Sequence, residues 1–214
     1  MRPIVPGESL EPRFCILEAM SLHVEVLWGS AVAPWIPELA RLRMAVFREW
    51  PYLYEGNLEY EQHYLAKFLE LPESTLVVVR DKERVVGAST ALPLAQAEAE
   101  FQTPFTQAGL DPAEWYYFGE SVLEPAYRGQ GLGVAFFRHR EARALALGYR
   151  LVTFCAVERP ANHPLKPADY APLDAFWQRR GFSKRPDLVC HFSWQDLGQP
   201  QPSAKPMVFW VKEL

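Results

Sequence analysis

Cysteine is scarce in this chain, and what there is does not pair. The 214 residues hold three, Cys15, Cys155 and Cys190, far apart and odd in number, which argues against a disulfide-framed secreted scaffold. Cys155 falls inside an apolar run, the place for a core thiol in a reducing compartment. No Cys/His pair has zinc-ligand spacing, so no metal is expected. No run approaches about 18 apolar residues, so no membrane-crossing helix and no membrane partner are expected. Met1 to Glu8 lack the apolar core of a signal peptide, which makes the cytoplasm the expected location. Excess charge is also missing. Twenty-two basic residues face 26 acidic ones, a net charge of −4, which argues against nucleic acid as a partner and leaves room for a local basic patch.

Proline and aromatic residues are plentiful. Nineteen prolines cluster near the start, at 158–172 and at 199–206, which marks loops and tails. Residues 1–13 read as a flexible arm and 14–214 as a single domain with a sizeable core. Hydrophobic periodicity predicts a strand at Leu22–Leu27 and helices at Pro37–Arg48 and Tyr60–Leu71. It then predicts a hairpin, Thr75–Arg80 with Arg84–Leu92, turning at Asp81-Lys82-Glu83. Residues 93–112 read as mixed, with one helical turn in Ala-Gln-Ala-Glu-Ala-Glu. A strand at Trp115–Leu123, a helix at Gly131–Leu147 ended by Gly148, and a fully covered strand at Leu151–Val157 follow. A short helix, Leu173–Arg180, and strands at Val189–Trp194 and Met207–Val211 complete the order. The final strand can pair within the chain or between two copies, so a homodimer is one expectation.

The most informative segment is Leu123 to Gly133, Leu-Glu-Pro-Ala-Tyr-Arg-Gly-Gln-Gly-Leu-Gly. It joins a strand to a helix, and a glycine-rich turn there presents backbone N–H groups and a helix dipole to an anion. A dinucleotide fingerprint would need glycine or alanine where Val134 stands. A P-loop would need Gly-Lys-Ser/Thr. A kinase loop would need a later His-Arg-Asp and Asp-Phe-Gly. All three fail. What remains is Arg128-x-x-Gly131-x-Gly133, preceded by Pro125 and Tyr127.

This pattern resembles the coenzyme A signature of the GNAT superfamily of N-acetyltransferases, and the element order from Leu22 onward is similar to that fold. The resemblance implies an α/β fold, a mixed central sheet of about seven strands flanked by about four helices. It implies acetyl-CoA as co-substrate, cradled by Arg128, Gly129, Gln130, Gly131, Leu132 and Gly133, and an amine acceptor that attacks it directly. It implies that the Leu123 N–H, at the end of the fourth strand, polarises the thioester carbonyl. Glu120, expected on one face with Tyr116, Phe118 and Val122, is the first candidate base. Glu158 is the second, with His163 in the same loop. Where the family carries a Tyr that protonates the leaving thiolate, this chain has Trp177, which cannot act as an acid but can pack against CoA. Tyr170 or water is then the candidate acid. The aromatic segment Trp50, Tyr52, Tyr54 with Glu55 is the candidate acceptor pocket, suited to a cation. Two rival readings share the fold: a non-catalytic acyl-CoA-binding regulatory module, and an acyltransferase of the signalling-lactone type.

Overall fold

The structure is a computed structural model that describes residues 22–66 and 71–214. The expected N-terminal arm, Cys15 and the last turn expected of the second helix lie outside the described residues. Strands β1 (Leu22–Leu27), β2 (Thr75–Asp81), β3 (Arg84–Pro93), β4 (Trp115–Leu123), β5 (Leu151–Val157), β6 (Ser183–Trp194) and β7 (Ser203–Glu213) form one seven-stranded sheet in the order β1-β2-β3-β4-β5-β7-β6. Only β4 and β5 run parallel among these neighbours. β7 pairs with β5 on one side and β6 on the other, so the final strand is satisfied within the chain.

Helices α1 (Ile36–Phe47), α2 (Leu58–Ala66), α3 (Ala99–Gln107), α4 (Leu132–Ala146) and α5 (Asp174–Gln178) cover the sheet. Side chains alternate across each strand, so Leu76 and Val78 pack under α1 and α2 while Val77 and Val79 pack under α4. α3 lies with the α1–α2 side, against Trp115, Tyr117 and Phe209. The sheet of seven strands is as expected, and α3 adds a fifth helix to the expected count of about four. Residues 93–112 do more than make one turn, because Phe101 and Phe105, one helical turn apart, both enter the core. Strands β6 and β7 also begin earlier than expected, their exposed ends carrying too few apolar residues to be read as strand.

The feature that shapes the site is in β4. Ser89 pairs with Ser121 but Ala91 pairs with Phe118, so Gly119 and Glu120 together oppose Thr90. This is a β-bulge, which bends the strand and reverses which face later side chains enter. Glycine is required at its start, since a Cβ on Gly119 would sit 2.5 Å from Thr90 Oγ1. The Glu120 N–H donates to that same oxygen at 3.2 Å. Beyond the bulge β4 leaves β5. The two pair only from Trp115–Tyr117 to Leu151–Thr153, while β4 stays with β3 to Leu123 and β5 stays with β7 to Val157. A wedge opens between them.

Arg140 of α4 secures the bend from below. It is 1% exposed, lies 4.5 Å over the Phe118 ring, and donates to the carbonyls of Thr90 at 3.3 Å and, more weakly, Glu120 at 3.5 Å. Burial pulls its guanidinium down to about 9, with Glu120 opposing, so it is cationic at neutral pH. Arg140→Met keeps the apolar stem and removes the donors. A buried carbonyl left unbonded costs about 1–3 kcal/mol, which at roughly 2–4 °C per kcal/mol in a chain this size should lower the melting temperature by about 2–12 °C. A variant that melts with the parent in a circular-dichroism scan would show that the bulge needs no cation.

Candidate active site

The turn after β4 begins with a tight 3-10 segment, Pro125–Tyr127, whose Tyr127 hydroxyl donates to Asp81 Oδ2 at 2.8 Å. Gly129 and Gly131 then take φ of +78° and +82°, a left-handed backbone that L side chains resist. A Cβ at either would meet nothing within 4 Å, so conformation and not crowding demands glycine here. Gly131 caps α4, and its carbonyl accepts from the N–H groups of Val134 and Ala135 at 3.0 and 3.1 Å. The N–H groups just before these have no carbonyl within the helix to bond, an arrangement suited to an anion. The neighbouring side chains brace it. Arg128 Nε donates to the Leu123 carbonyl at 3.1 Å and its Nη2 pairs with Glu49 at 2.9 Å. Gln130 Nε2 donates to the Ala126 carbonyl at 3.1 Å. Leu132 is buried against Val86 and Phe136, and a Cβ on Gly133 would come within 3.3 Å of Phe176 of α5.

The Glu124 N–H donates back to Val86 of β3 at 3.0 Å. Alternation along the strand turns the preceding N–H, that of Leu123, away from β3 and toward the wedge.

On the α1–α2 side of the wedge lies a cavity of about 270 Å³. Its walls are rings, among them Tyr52, Tyr54, Tyr64, Tyr117, Phe192 and Trp194. One part of it is ionic. Arg43 of α1 donates to Glu61 of α2 at 2.5 Å and pairs with Glu120 of β4 at 2.7 Å, with its guanidinium 5.1 Å over Phe47 and 4.8 Å over Tyr64. Burial works against the charge on Arg43, but Glu120, Tyr64 and Glu61 outweigh it and raise the guanidinium above its ordinary range. Each carboxylate keeps one buried oxygen, Glu61 Oε1 and Glu120 Oε1, without a hydrogen-bond partner. Burial, and for Tyr54 the nearby Glu61, push the Tyr52 and Tyr54 phenols up, so they stay neutral.

The aromatic segment is held rigidly. Arg159 donates to the carbonyls of Pro51 and Tyr52 at 2.8 and 2.6 Å and grips Asp196 with two nitrogens at 2.7 and 2.8 Å. Trp194 Nε1 donates to the same Tyr52 carbonyl at 2.9 Å, and the Leu197 N–H to the Leu53 carbonyl at 2.7 Å.

Glu120, Tyr52 and Tyr54 therefore meet in one cavity, and Glu120 reaches it by the bulge. It does not share a face with Tyr116 and Phe118, which pack on the α4 side; it shares one with Val122 and Tyr117. Other candidates lie elsewhere. Glu158 is half exposed and paired with Lys184. Glu55 is exposed and bonded to Arg48 at 2.8 Å. Trp50 packs beside His163 at 5.0 Å and Tyr170 at 5.9 Å between ring centres. Burial, then Asp174, raises the Tyr170 phenol. Trp177 is partly buried and packs at the edge of the core, its ring centre 5.1 Å from those of both Phe154 and Trp210. Sequence reasoning missed Arg43, Glu61 and Tyr64. The available signal was a charge inside an apolar stripe: Arg43 lies between Leu39 and Phe47 at four-residue spacing, and Glu61 stands four before Leu65.

Among the described residues, no group of three or more His, Cys, Asp or Glu is placed to hold a metal, and no helix is long and apolar enough to cross a membrane. No curated protein matches the chain. Solved structures that resemble it include a ribosomal-protein-alanine N-acetyltransferase from Brucella melitensis (14% identity, 89% of this chain and 99% of that one, TM-score 0.58). A polyamine N-acetyltransferase from Drosophila melanogaster is 15% identical over 90% of this chain and 100% of that one, with a TM-score of 0.55. An acetyltransferase from Salmonella typhimurium, solved with acetyl-CoA, is 11% identical over 90% and 94%, with a TM-score of 0.54. At such identities these share the fold. The sequence model of the acetyltransferase (GNAT) family matches residues 39–182, two-thirds of the chain and all of β4, the glycine turn and α4, and the chain belongs to that family.

Proposed function

We propose that the protein is an acetyl-CoA-dependent N-acetyltransferase in which a bound amine attacks the thioester directly. One observation carries this reading: a single bent strand offers Glu120 to an aromatic cavity and, three residues on, the Leu123 N–H to the wedge above the phosphate cradle. Acetyl-CoA supplies the activated acyl group. The turn from Gly129 to Gly133 fits its pyrophosphate, because the backbone there is open and its N–H groups precede a long helix.

The remaining steps belong to the chain's own groups. An amine arrives protonated, and Glu120 Oε1, which has no partner in the cavity, takes the proton. Arg43 holds the other carboxylate oxygen and so fixes its direction. The nitrogen lone pair then forms the bond to the carbonyl carbon as the carbon–sulfur bond breaks. The Leu123 N–H donates to the carbonyl oxygen as negative charge develops there, a role worth about 2.7–4 kcal/mol of barrier. Placement of amine and thioester on one rigid strand supplies most of the rest. The departing thiolate, with an ordinary pKa of about 8.5, takes a proton from water, and the nitrogen's second proton passes to the hydroxide so formed as the amide becomes neutral; Tyr170 packs against Trp50 and does not line the cavity. Cys155 lines the same cavity and lies 3.2 Å from the Tyr117 hydroxyl. Burial raises its thiol well above the ordinary range, so it stays protonated, which supports direct transfer over an acyl-cysteine route.

Saturating acetyl-CoA, at about 100 times its dissociation constant, should add roughly 2.7 kcal/mol and raise the melting temperature by roughly 5–11 °C. Gly131→Asp, which strains the positive φ and puts a carboxylate at the cradle, should abolish that shift. No shift in the parent would make the turn a structural element only. Glu120→Gln should keep the acetyl-CoA shift and lower turnover by about 10²–10⁴-fold, the usual contribution of a positioned base. Unchanged turnover would remove Glu120 from the mechanism, and a bound acyl-CoA with no turnover of any acceptor in the parent would favour the non-catalytic module.

A further inference from the structure

We infer that the acceptor is a small primary amine whose ammonium is attached to an aromatic or otherwise apolar body free of other charge, and that Glu61 is the residue that selects the ammonium. This rests on the N-acetyltransferase reading and narrows it. Glu61 is fully buried and Glu120 nearly so, at 0% and 8% exposure. Both pair with the same Arg43, so the cluster carries two negative charges against one positive. Each carboxylate also keeps one buried oxygen outside its bond to Arg43: the Tyr54 hydroxyl lies close to Glu61, and nothing bonds Glu120 Oε1. Buried, unbonded carboxylate oxygens are unfavourable unless something supplies the missing donors. An alkylammonium has three donors and one positive charge, so it completes both bonding and charge.

The rest of the cavity gives the rest of the ligand. Its other walls are mainly rings, from Tyr52 and Tyr64 to Phe101, Phe192 and Trp194. Its volume of about 270 Å³ suits a small molecule. An amino-acid carboxylate would meet two carboxylates and a guanidinium already engaged by both. The second ammonium of a diamine would lose its water and, beyond the ring faces, find no further carboxylate in the lining to pair with. A ring or branched alkyl group matches this lining, and phenethylamine is the simplest such molecule.

The test is a comparison of kcat/KM at saturating acetyl-CoA, followed by release of the CoA thiol. Phenethylamine should exceed phenylalanine, the same body with a carboxylate, by about 100-fold or more, as expected where a buried charge has no partner. It should exceed putrescine by at least about tenfold. Glu61→Gln should raise the KM for phenethylamine by about 10–100-fold while changing kcat far less, the reverse of Glu120→Gln. Should Glu61→Gln fail to fold, Phe192→Ala leaves the ionic cluster intact and should shrink the preference for phenethylamine over ethylamine by about tenfold. Phenylalanine or putrescine equalling phenethylamine, or phenethylamine inert while another amine reacts, overturns this inference and leaves the N-acetyltransferase reading standing. Calorimetric binding of phenethylamine in the presence of CoA, with no amine turned over, upholds the ligand class and overturns the enzyme. Neither binding nor turnover overturns both.

Discussion

The site depends on the buried Arg43 between Glu61 and Glu120. That cluster joins α1, α2 and β4. It is an odd way to build a core. Two buried carboxylates and one guanidinium pay a large desolvation penalty, and well-packed apolar residues of similar volume would do as well or better for stability. Once present, though, the cluster cannot lose a member cheaply, because removing one partner of a buried pair costs about 3–5 kcal/mol. A feature unfavourable for folding and costly to dismantle is best accounted for by binding, where its excess negative charge has a use.

The second constraint is the bulge. Without the extra residue opposite Thr90, Glu120 would fall on the α4 face among Phe118 and Phe137, where Arg140 already occupies the space. The bulge changes the parity of the strand and, with the same bend, is followed by the parting of β4 from β5. One local irregularity thus delivers both a carboxylate to the acceptor side and an N–H to the wedge. Arg140 is its counterpart below the sheet, a donor for the two carbonyls on either side of the irregular pairing.

The glycine turn, the strand before it and the helix after it were legible in the sequence because their determinants are local. Gly131 must be glycine for its own φ, and Gly133 lies in the first turn of the helix that follows. The aromatic segment was half legible: Tyr52 and Tyr54 enter the cavity, whereas Trp50 and Glu55 leave it, a distinction set by backbone contacts to Arg159 and Gln195 that lie more than a hundred residues away. Glu158 looked well placed by sequence, but Lys184 of β6 draws it outward. Trp177 stands where the family has its tyrosine, and its packing on Phe154 and Trp210 could not be read from sequence because those partners lie on β5 and β7. Arg43 and Glu61 were missed because each, taken singly, reads as a solvated charge on an amphipathic helix. Only the packing of α1 on α2 shows that the two lie face to face with Glu120.

The acceptor wall differs from the phosphate cradle in how its shape is set. The cradle is backbone, and its geometry follows from glycine conformation. The wall is side chain, and its geometry follows from Arg159, which spans the Tyr52 carbonyl and Asp196, and from Lys205, which adds a 3.2 Å contact to the same carboxylate. Asp196 is held below the usual carboxylate range: burial alone would raise it, and the bonds to Arg159 and Lys205 more than reverse that. Asp196 is thus charged at neutral pH and held by both partners, so the ring-lined wall is ordered before any ligand arrives. A preorganised wall discriminates by fit, since little of the binding energy goes into ordering it. In the proposed reading the family's acyl donor leaves the choice of acceptor to the wall shaped by Arg159 and Asp196 and to the charge of Glu61 and Glu120.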